Sequence, residues 1–447
     1  MAQQTEAECL LQTGAMYTRR LGLRPTSRPH DLVFAGLKHG AFSIYFGDEP
    51  IYHFDLEGRW QRAFVEGVHY LKGLDNSVDA IDRVREGANL VLHRRALSFA
   101  ETGDFDASVR SMAIRLISDL ESGGLEPIAP PSPTASISRD DLRGFLDRVV
   151  EWDAAAWFAH RERYLGTYGT LGFLPSEAQQ AVILQATLGH ARGAAFGLAP
   201  PAEPYKRSEA EFQEHASAVA AFLGKRALQC RGAYVAGTDL FHLPADQVAA
   251  YLRITAEVFP IDPAPVRLRA RDVPDEPHRL ESLYAFLDNL DPPLPDLAAW
   301  CQFKELALRR VVVGVESGDR QVRTLYGKTW EDDALRRLVA DLKAAGLEVG
   351  IVLLVGAGGQ ERADEHVAAS AALLNALPLG PGDLVYLIEA DEVGGEAARR
   401  KLQELDITPL SDQAALEQQK RLLSLLAPIR KERKAKVAPY HLEKQRT

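Results

Sequence analysis

The chain has 447 residues, 46% of them hydrophobic and 26% charged, with 52 basic and 62 acidic side chains and a net charge of −10. That length exceeds one ordinary core, so two or three domains are expected, and the acidic balance argues against general nucleic-acid binding. No apolar run approaches the ~20 residues that span a bilayer, and no basic segment leads into an apolar one at the N-terminus, so the expectation is a cytoplasmic protein that does not enter membranes. Cys9, Cys230 and Cys301 are far apart, which excludes a disulfide framework and any local cysteine metal site.

In chain order, residues 1–125 read as a small α+β N-terminal domain that opens with a helical stretch. Phe42, Ile44 and Phe46 alternate, as do Tyr52, Phe54 and Leu56 before the turn at Glu57-Gly58, which predicts a small antiparallel sheet. Helical patterns follow at Ser77–Arg85 and Asp106–Leu120. His53 and Asp55 have the i, i+2 spacing that puts two metal ligands on one strand face, with His39, His69, His93, Asp48 and Glu57 also in this half; such pairs are common by chance. The aromatic run suits sheet core, while Arg59 and Trp60 beside the turn leave a base-stacking platform open. Residues 126–175 read as a proline-rich extended linker (Glu126–Ser136) and a helix bridging the two halves. Ser138 and Asp141 cap that helix, and Leu142, Phe145, Leu146 and Val149 form its apolar stripe.

From residue 176 to 392 the rhythm alternates. Strands are read at Ala181–Leu188, Ala227–Ala236, Val266–Ala270, Val311–Val315, Val349–Val355 and Leu384–Ile388. Helices are read at Glu209–Leu223, Ala245–Val258, Leu280–Leu290, Trp330–Ala345 and Ala363–Leu374. Apolar strands separated by helices imply a parallel sheet, either a partial barrel or an open doubly wound sheet; in both, ligands bind at the carboxyl ends of the strands. Those ends carry His190; Gly237-Thr238-Asp239; Arg269, Arg271 and Asp272; Gly314 to Gly318 with Glu316 and Ser317; Gly356, Gly358 and Gly359 with Glu361; and Glu389, Asp391 and Glu392. Glycines admit a ligand to backbone N–H groups, and carboxylates accept hydrogen bonds from hydroxyls or amines. Either role competes with plain turn and cap formation. Residues 393–447 read as a helical extension, rich in leucine from Leu416 to Leu426, and a basic tail. The default for the tail is solvation, with an acidic partner or RNA as the minority reading.

The segments "GVESG" (Gly314–Gly318) followed by "DRQVRTLYGK", and "LKAAGLEVGIVLLVGAGGQE" (Leu342–Glu361), resemble the fourth and fifth strand regions of the radical S-adenosylmethionine (SAM) superfamily, of the tRNA-modification and coproporphyrinogen type. The resemblance covers about half the chain. It implies a partial (β/α)6 TIM-like barrel of radical SAM type. Thr238 and Asp239 would lie near the methionyl amine of SAM; Glu316, Ser317, Gly356, Gly358 and Gly359 would lie near ribose and adenine. "LQATLGHARGAAFG" aligns on the family's cluster loop, which reads like "TxGCxxxCxFC". This chain has Thr187, Gly189 and Phe196 of that pattern, but His190, Ala194 and Gly197 at the three cysteine positions. Three thiolates hold three irons of a 4Fe-4S cluster, and one imidazole cannot. The cluster is therefore expected to be absent. The mixed identity of the three replacements reads as natural degeneration. His190 is a loop residue, a base or a single metal ligand on this reading.

Three function classes stay open: a pseudoenzyme or ligand-binding module, or the subunit of a protein partner or paralogue, that binds SAM or a related nucleoside; an active radical SAM enzyme with an atypically assembled cluster; and a non-radical enzyme using the strand-end carboxylates and His190.

Overall fold

The computed structural model describes residues 19–26, 32–38, 40–86, 89–128, 136–169, 171, 174–175, 178, 181–189, 205–237, 240–262, 279–390 and 402–440. Outside them lie the N-terminal helical reading, His39, the strand reading at Val266–Ala270 with Arg269, Arg271 and Asp272, and Asp391 and Glu392.

The first half is a nine-stranded sheet. Strands β1 (Arg19–Pro25), β2 (Val33–Lys38), β3 (Ala41–Phe46), β4 (Ile51–Asp55), β5 (Trp60–Val65), β6 (Val68–Lys72), β7 (Val78–Glu86), β8 (Asn89–Ala96) and β9 (Leu125–Ile128) lie in the order β8-β7-β6-β5-β4-β3-β2-β1-β9. Every neighbour is antiparallel. Alternation at Phe42, Ile44, Tyr52 and Phe54 turns those four side chains into a buried face, as period-2 patterning requires.

Two sequence readings fail here. Ser77–Arg85 is strand β7, because a hairpin partner in β8 outweighs a weak helical spacing. Glu126–Ile128 is no free linker: it lies in β9, paired with β1. Helices α1 (Phe99–Glu121) and α2 (Arg139–Val150) cover the buried face, and the Ser138/Asp141 capping box forms as expected. Leu142, Phe145, Leu146 and Val149 all enter this first core. The following helix, α3 (Ala154–Thr167), rather than α2, touches both cores, through Trp157 in the first and Tyr164 against the second.

The second half holds a parallel sheet of β10 (Ala181–Gln185), β13 (Gly232–Ala236), β14 (Ser282–Leu287), β15 (Leu308–Glu316), β16 (Glu348–Val355), β17 (Leu384–Glu389) and β18 (Lys436–Pro439), in that order. A two-stranded ribbon of β11 (Thr187–Leu188) and β12 (Tyr205–Lys206) stands apart from it. Strand order follows chain order without reversal, so the doubly wound alternative is excluded. Near-continuous burial along β13, β14, β15 and β16 is what strands covered on both faces require.

The third strand is Ser282–Leu287, within the segment read as a helix at Leu280–Leu290. "SLYAFL" is a six-residue apolar run buried at every position, and such a run does not reveal its own period. Ala227–Gln229 belongs to a 3-10 turn rather than to the second strand. The sheet also gains a seventh strand from the basic tail. Val437 and Ala435 are buried, and Lys436–Pro439 pairs with β17. Between Ala363–Asn375 and that strand, the leucine-rich helix (Asp412–Leu425) packs with Leu422 inside and Leu416 and Leu425 outside.

The halves meet at the β4–β5 turn. Arg59 is buried and ion-paired to Asp55 at 2.6 Å. Its other nitrogens donate to the carbonyls of Phe222 (3.1 Å) and Leu223 (2.5 Å), the last residues of helix α4 (Glu209–Leu223), supplying partners that a helix end lacks. Lys225 N donates to Glu57 Oε1 from the other side at 3.1 Å. Removing one member of a buried ion pair strands the other, at about 3 kcal/mol or more. Arg59→Ala is expected to lower the unfolding free energy measured in urea by that order; an unchanged value would show that the junction contributes nothing to folding.

Candidate functional site

Because the parallel strands run in chain order, their carboxyl ends form one rim. Thr187 follows the first strand, Gly237 the second, Asp288 the third; Glu316 ends the fourth, Gly356 follows the fifth and Glu389 ends the sixth. Thr238 and Asp239, and the three replaced cysteine positions His190, Ala194 and Gly197, lie outside the described residues. The ends of the aligned loop are described: Thr187 pairs with Lys206 and Leu188 with Tyr205, so the loop starts and returns as a two-stranded ribbon. Thr187 is buried and its hydroxyl has no hydrogen-bond partner among the described residues. A Cβ on Gly237 would lie 2.2 Å from that oxygen, so only glycine lets the second strand end pass there.

The centre of the rim is charged and buried. Lys328, in the turn after a short helix (Arg320–Leu325), reaches back to the ends of β14 and β15. Its Nζ lies 2.7 Å from Glu316 Oε2, 3.0 Å from Asp288 Oδ1, 2.6 Å from Asp288 O and 2.8 Å from Gly314 O. Gly314 makes room for this: a Cβ there would lie 2.7 Å from Lys328 Nζ and 2.9 Å from both Asp288 Oδ1 and Glu316 Oε1. The β15–β16 register slips between Gly314 and Glu316, and Glu316 takes a left-handed backbone, φ 58°. A residue with a Cβ is held there at about 1 kcal/mol or more.

Burial pushes the Glu316 carboxyl up to about 7; Lys328 pulls it down and Asp288 pushes it up further. Burial would lower the Lys328 ammonium, but Asp288 and Glu316 hold it above its ordinary value. The cluster therefore offers an acidic group that exchanges its proton near neutrality beside a permanent cation.

The rest of the "GVESGDRQVRTLYGK" motif builds the turn. Ser317 is buried, with its Oγ 2.7 Å from His366 Nδ1 and accepting from Asp319 N at 2.9 Å. Asp319 caps the short helix through Gln321 N and Val322 N and accepts from Arg362 Nε at 3.1 Å. Arg323 donates to the carbonyls of Ser317 and Gly318 and to Asp332, and lies over the Trp330 ring. The fifth-strand loop is likewise engaged. Gly356 N donates to Gln418 Oε1 at 2.7 Å, Gly358 faces Val322 and Arg362, and Gly359 faces Ile407 and Thr408. Glu361 accepts from Thr408 N, and this holds its carboxyl below the usual range.

Elsewhere the candidates separate. A bulge between His53 and Phe54 breaks the strand alternation. Asp55 turns to Arg59, while His53 Nδ1 meets Ser43 Oγ at 2.8 Å; its imidazole is pushed down to about 4 by burial, with Arg62 adding to it. The two therefore do not form a metal pair. Trp60 is buried and donates to Asp106, and Arg59 is spent at the junction, so neither is open to a base. Cys230 precedes β13 and so lies at the sheet end opposite the rim, with the whole five-residue strand between them. Burial pushes its thiol up to about 11. Cys301 is exposed on the helix Leu297–Glu305.

Sequence reasoning missed Asp288 and Lys328. Asp288 was hidden by the misplaced third strand. Lys328 stands in the quoted motif, but nothing in its spacing points back to Glu316.

Glu316 also makes stability depend on pH. Its carboxyl stands higher in the fold than its ordinary 4.5, so its contribution is complete below about pH 4.5 and is lost as pH rises through about 7. The expected loss is roughly 3 kcal/mol. Unfolding free energy in urea, compared between the wild type and Glu316→Gln, should diverge by that order across the window; parallel curves would contradict it.

No family model matches the chain, and neither does any curated protein. Among solved structures, 48% of the chain is similar to 44% of coproporphyrinogen III oxidase from Escherichia coli, a radical SAM enzyme, at 15% identity and a TM-score of 0.35. In the same way, 51% is similar to 51% of the Elp3 protein of the archaeon Methanocaldococcus infernus, at 13% identity and a TM-score of 0.35. Methylornithine synthase is similar over 61% of this chain and 68% of its own, at 13% identity and a TM-score of 0.37. The chain thus spans about half the length of the first two.

Proposed function

We propose that this chain is a ligand-binding protein of radical SAM type, a pseudoenzyme or partner subunit, whose rim takes SAM or a related nucleoside without an iron–sulfur cluster. On this reading the parallel sheet is a partial TIM-like barrel, its strands ordered as in the chain. The observation that carries the reading is the buried Asp288–Lys328–Glu316 cluster at the carboxyl ends of the central strands, with Glu316 in a left-handed backbone. Packing alone favours apolar side chains there; buried charge and a strained backbone at a strand end mark a binding site more often than a core.

The residues do not fit a 4Fe-4S cluster. The loop that aligns on the cluster site offers one imidazole and no thiolate at positions 190, 194 and 197. Of the three cysteines elsewhere, Cys230 lies at the far end of the sheet with its thiol held protonated, Cys301 lies on an outer helix, and Cys9 lies outside the described residues. What its own residues offer is recognition: the Glu316 carboxylate accepts hydroxyl donors once deprotonated, and Thr187 supplies a hydroxyl that lacks a partner among the described residues.

Isothermal titration with adenosine and with SAM tests this. Wild type should bind at least one of them, more tightly above pH 7 than below, and Glu316→Gln should weaken binding about tenfold, the value of one charge-assisted hydrogen bond. No heat and no competition at millimolar ligand would sink the reading.

A further inference from the structure

The four oxygens around Lys328 Nζ lie between 2.6 and 3.0 Å from it. An ammonium has three protons, so these are more acceptors than it has hydrogens to give. The arrangement is that of a cage around a positive charge rather than a set of matched hydrogen bonds. Two of the oxygens are main-chain carbonyls, at the ends of the third and fourth strands, and two are carboxylate. They have the hard-oxygen character and spacing with which a potassium or ammonium ion is held. The lysine stem brings that cation from a turn twelve residues beyond Glu316, and Gly314 keeps the cage open by having no side chain.

We propose that Lys328 is a positioning residue for the rim: its ammonium serves as a tethered monovalent cation that joins two strand ends and turns one Glu316 oxygen inward, leaving the other to face a ligand. This rests on the reading of the rim as a ligand site. Glu316 Oε2 is on the lysine, while Oε1 lies beside the empty Cβ position of Gly314. Without the cation, two carboxylates and two carbonyls would face one another across a buried space, and Glu316 would have no reason to hold its left-handed turn.

The experiment is chemical rescue. Lys328→Ala removes four atoms that n-propylammonium replaces. The expected result is a melting temperature lower by about 4 °C, from the loss of a buried ion-pair partner in a chain of this size. Affinity for whichever of adenosine and SAM the wild type binds should be at least about tenfold weaker. n-Propylammonium chloride should restore both, and tetramethylammonium chloride at equal ionic strength, too large for the cage, should restore neither. Lys328→Met, which keeps the stem and so the packing, should fold and still lose binding. Wild-type affinity in Lys328→Ala or Lys328→Met would overturn the proposal, as would thermal rescue without recovery of affinity. If wild type itself binds neither adenosine nor SAM, the reading of the rim fails; thermal rescue that discriminates between the two salts would then still establish the cage, and its absence would overturn that too.

Discussion

One buried ammonium organises the rim. A charge taken out of water needs partners, and Lys328 finds them only at the ends of two neighbouring parallel strands. Several features then follow together. Gly314 lacks a side chain because the ammonium passes where a Cβ would lie. The fourth strand slips its register before it ends, and Glu316 accepts a left-handed backbone to bring its carboxylate onto the lysine. Asp288 meets the same nitrogen through both its side chain and its carbonyl, so the third strand end is fixed by the same contact.

This constraint divides a motif that looks uniform in the sequence. Glu316 and Lys328 work at the rim. Ser317, Asp319 and Arg323, from the same stretch, cap a helix, tie a turn and join it to His366 and Arg362. The fifth-strand glycines lie close to Val322, Ile407 and Thr408, and the Gly356 amide is used by Gln418 from the C-terminal helix. A family-like stretch can therefore persist for two physical reasons at once. One part gathers buried charge at the rim and the other holds the turn beside it.

The sequence was legible where period and caps agreed. Helices at Glu209–Leu223 and Ala245–Val258 form over the residues their patterns mark, and Ser138 with Asp141 caps a helix as the pair predicts. The fourth, fifth and sixth strands stand where their apolar runs lie. The third was lost because "SLYAFL" is apolar at every position, and a run buried on both faces erases the alternation that would separate strand from helix. The seventh was lost because a basic tail reads as solvated, while Val437 needs only a neighbouring strand edge to be buried. Glu316 was found as a candidate. Its partners were not: Asp288 stood behind the misread strand, and Lys328 meets Glu316 through a tertiary contact that leaves no periodic trace.

A charged rim among the described residues and a loop sequence without thiolates at positions 190, 194 and 197 together define the account. On the proposed reading the rim serves recognition and no electron transfer passes through it. The most direct measurement is iron and acid-labile sulfide in the full-length protein after anaerobic reconstitution. The account predicts neither in stoichiometric amount and no absorbance near ~400 nm; about four iron and four sulfide per chain, with that band, would contradict it.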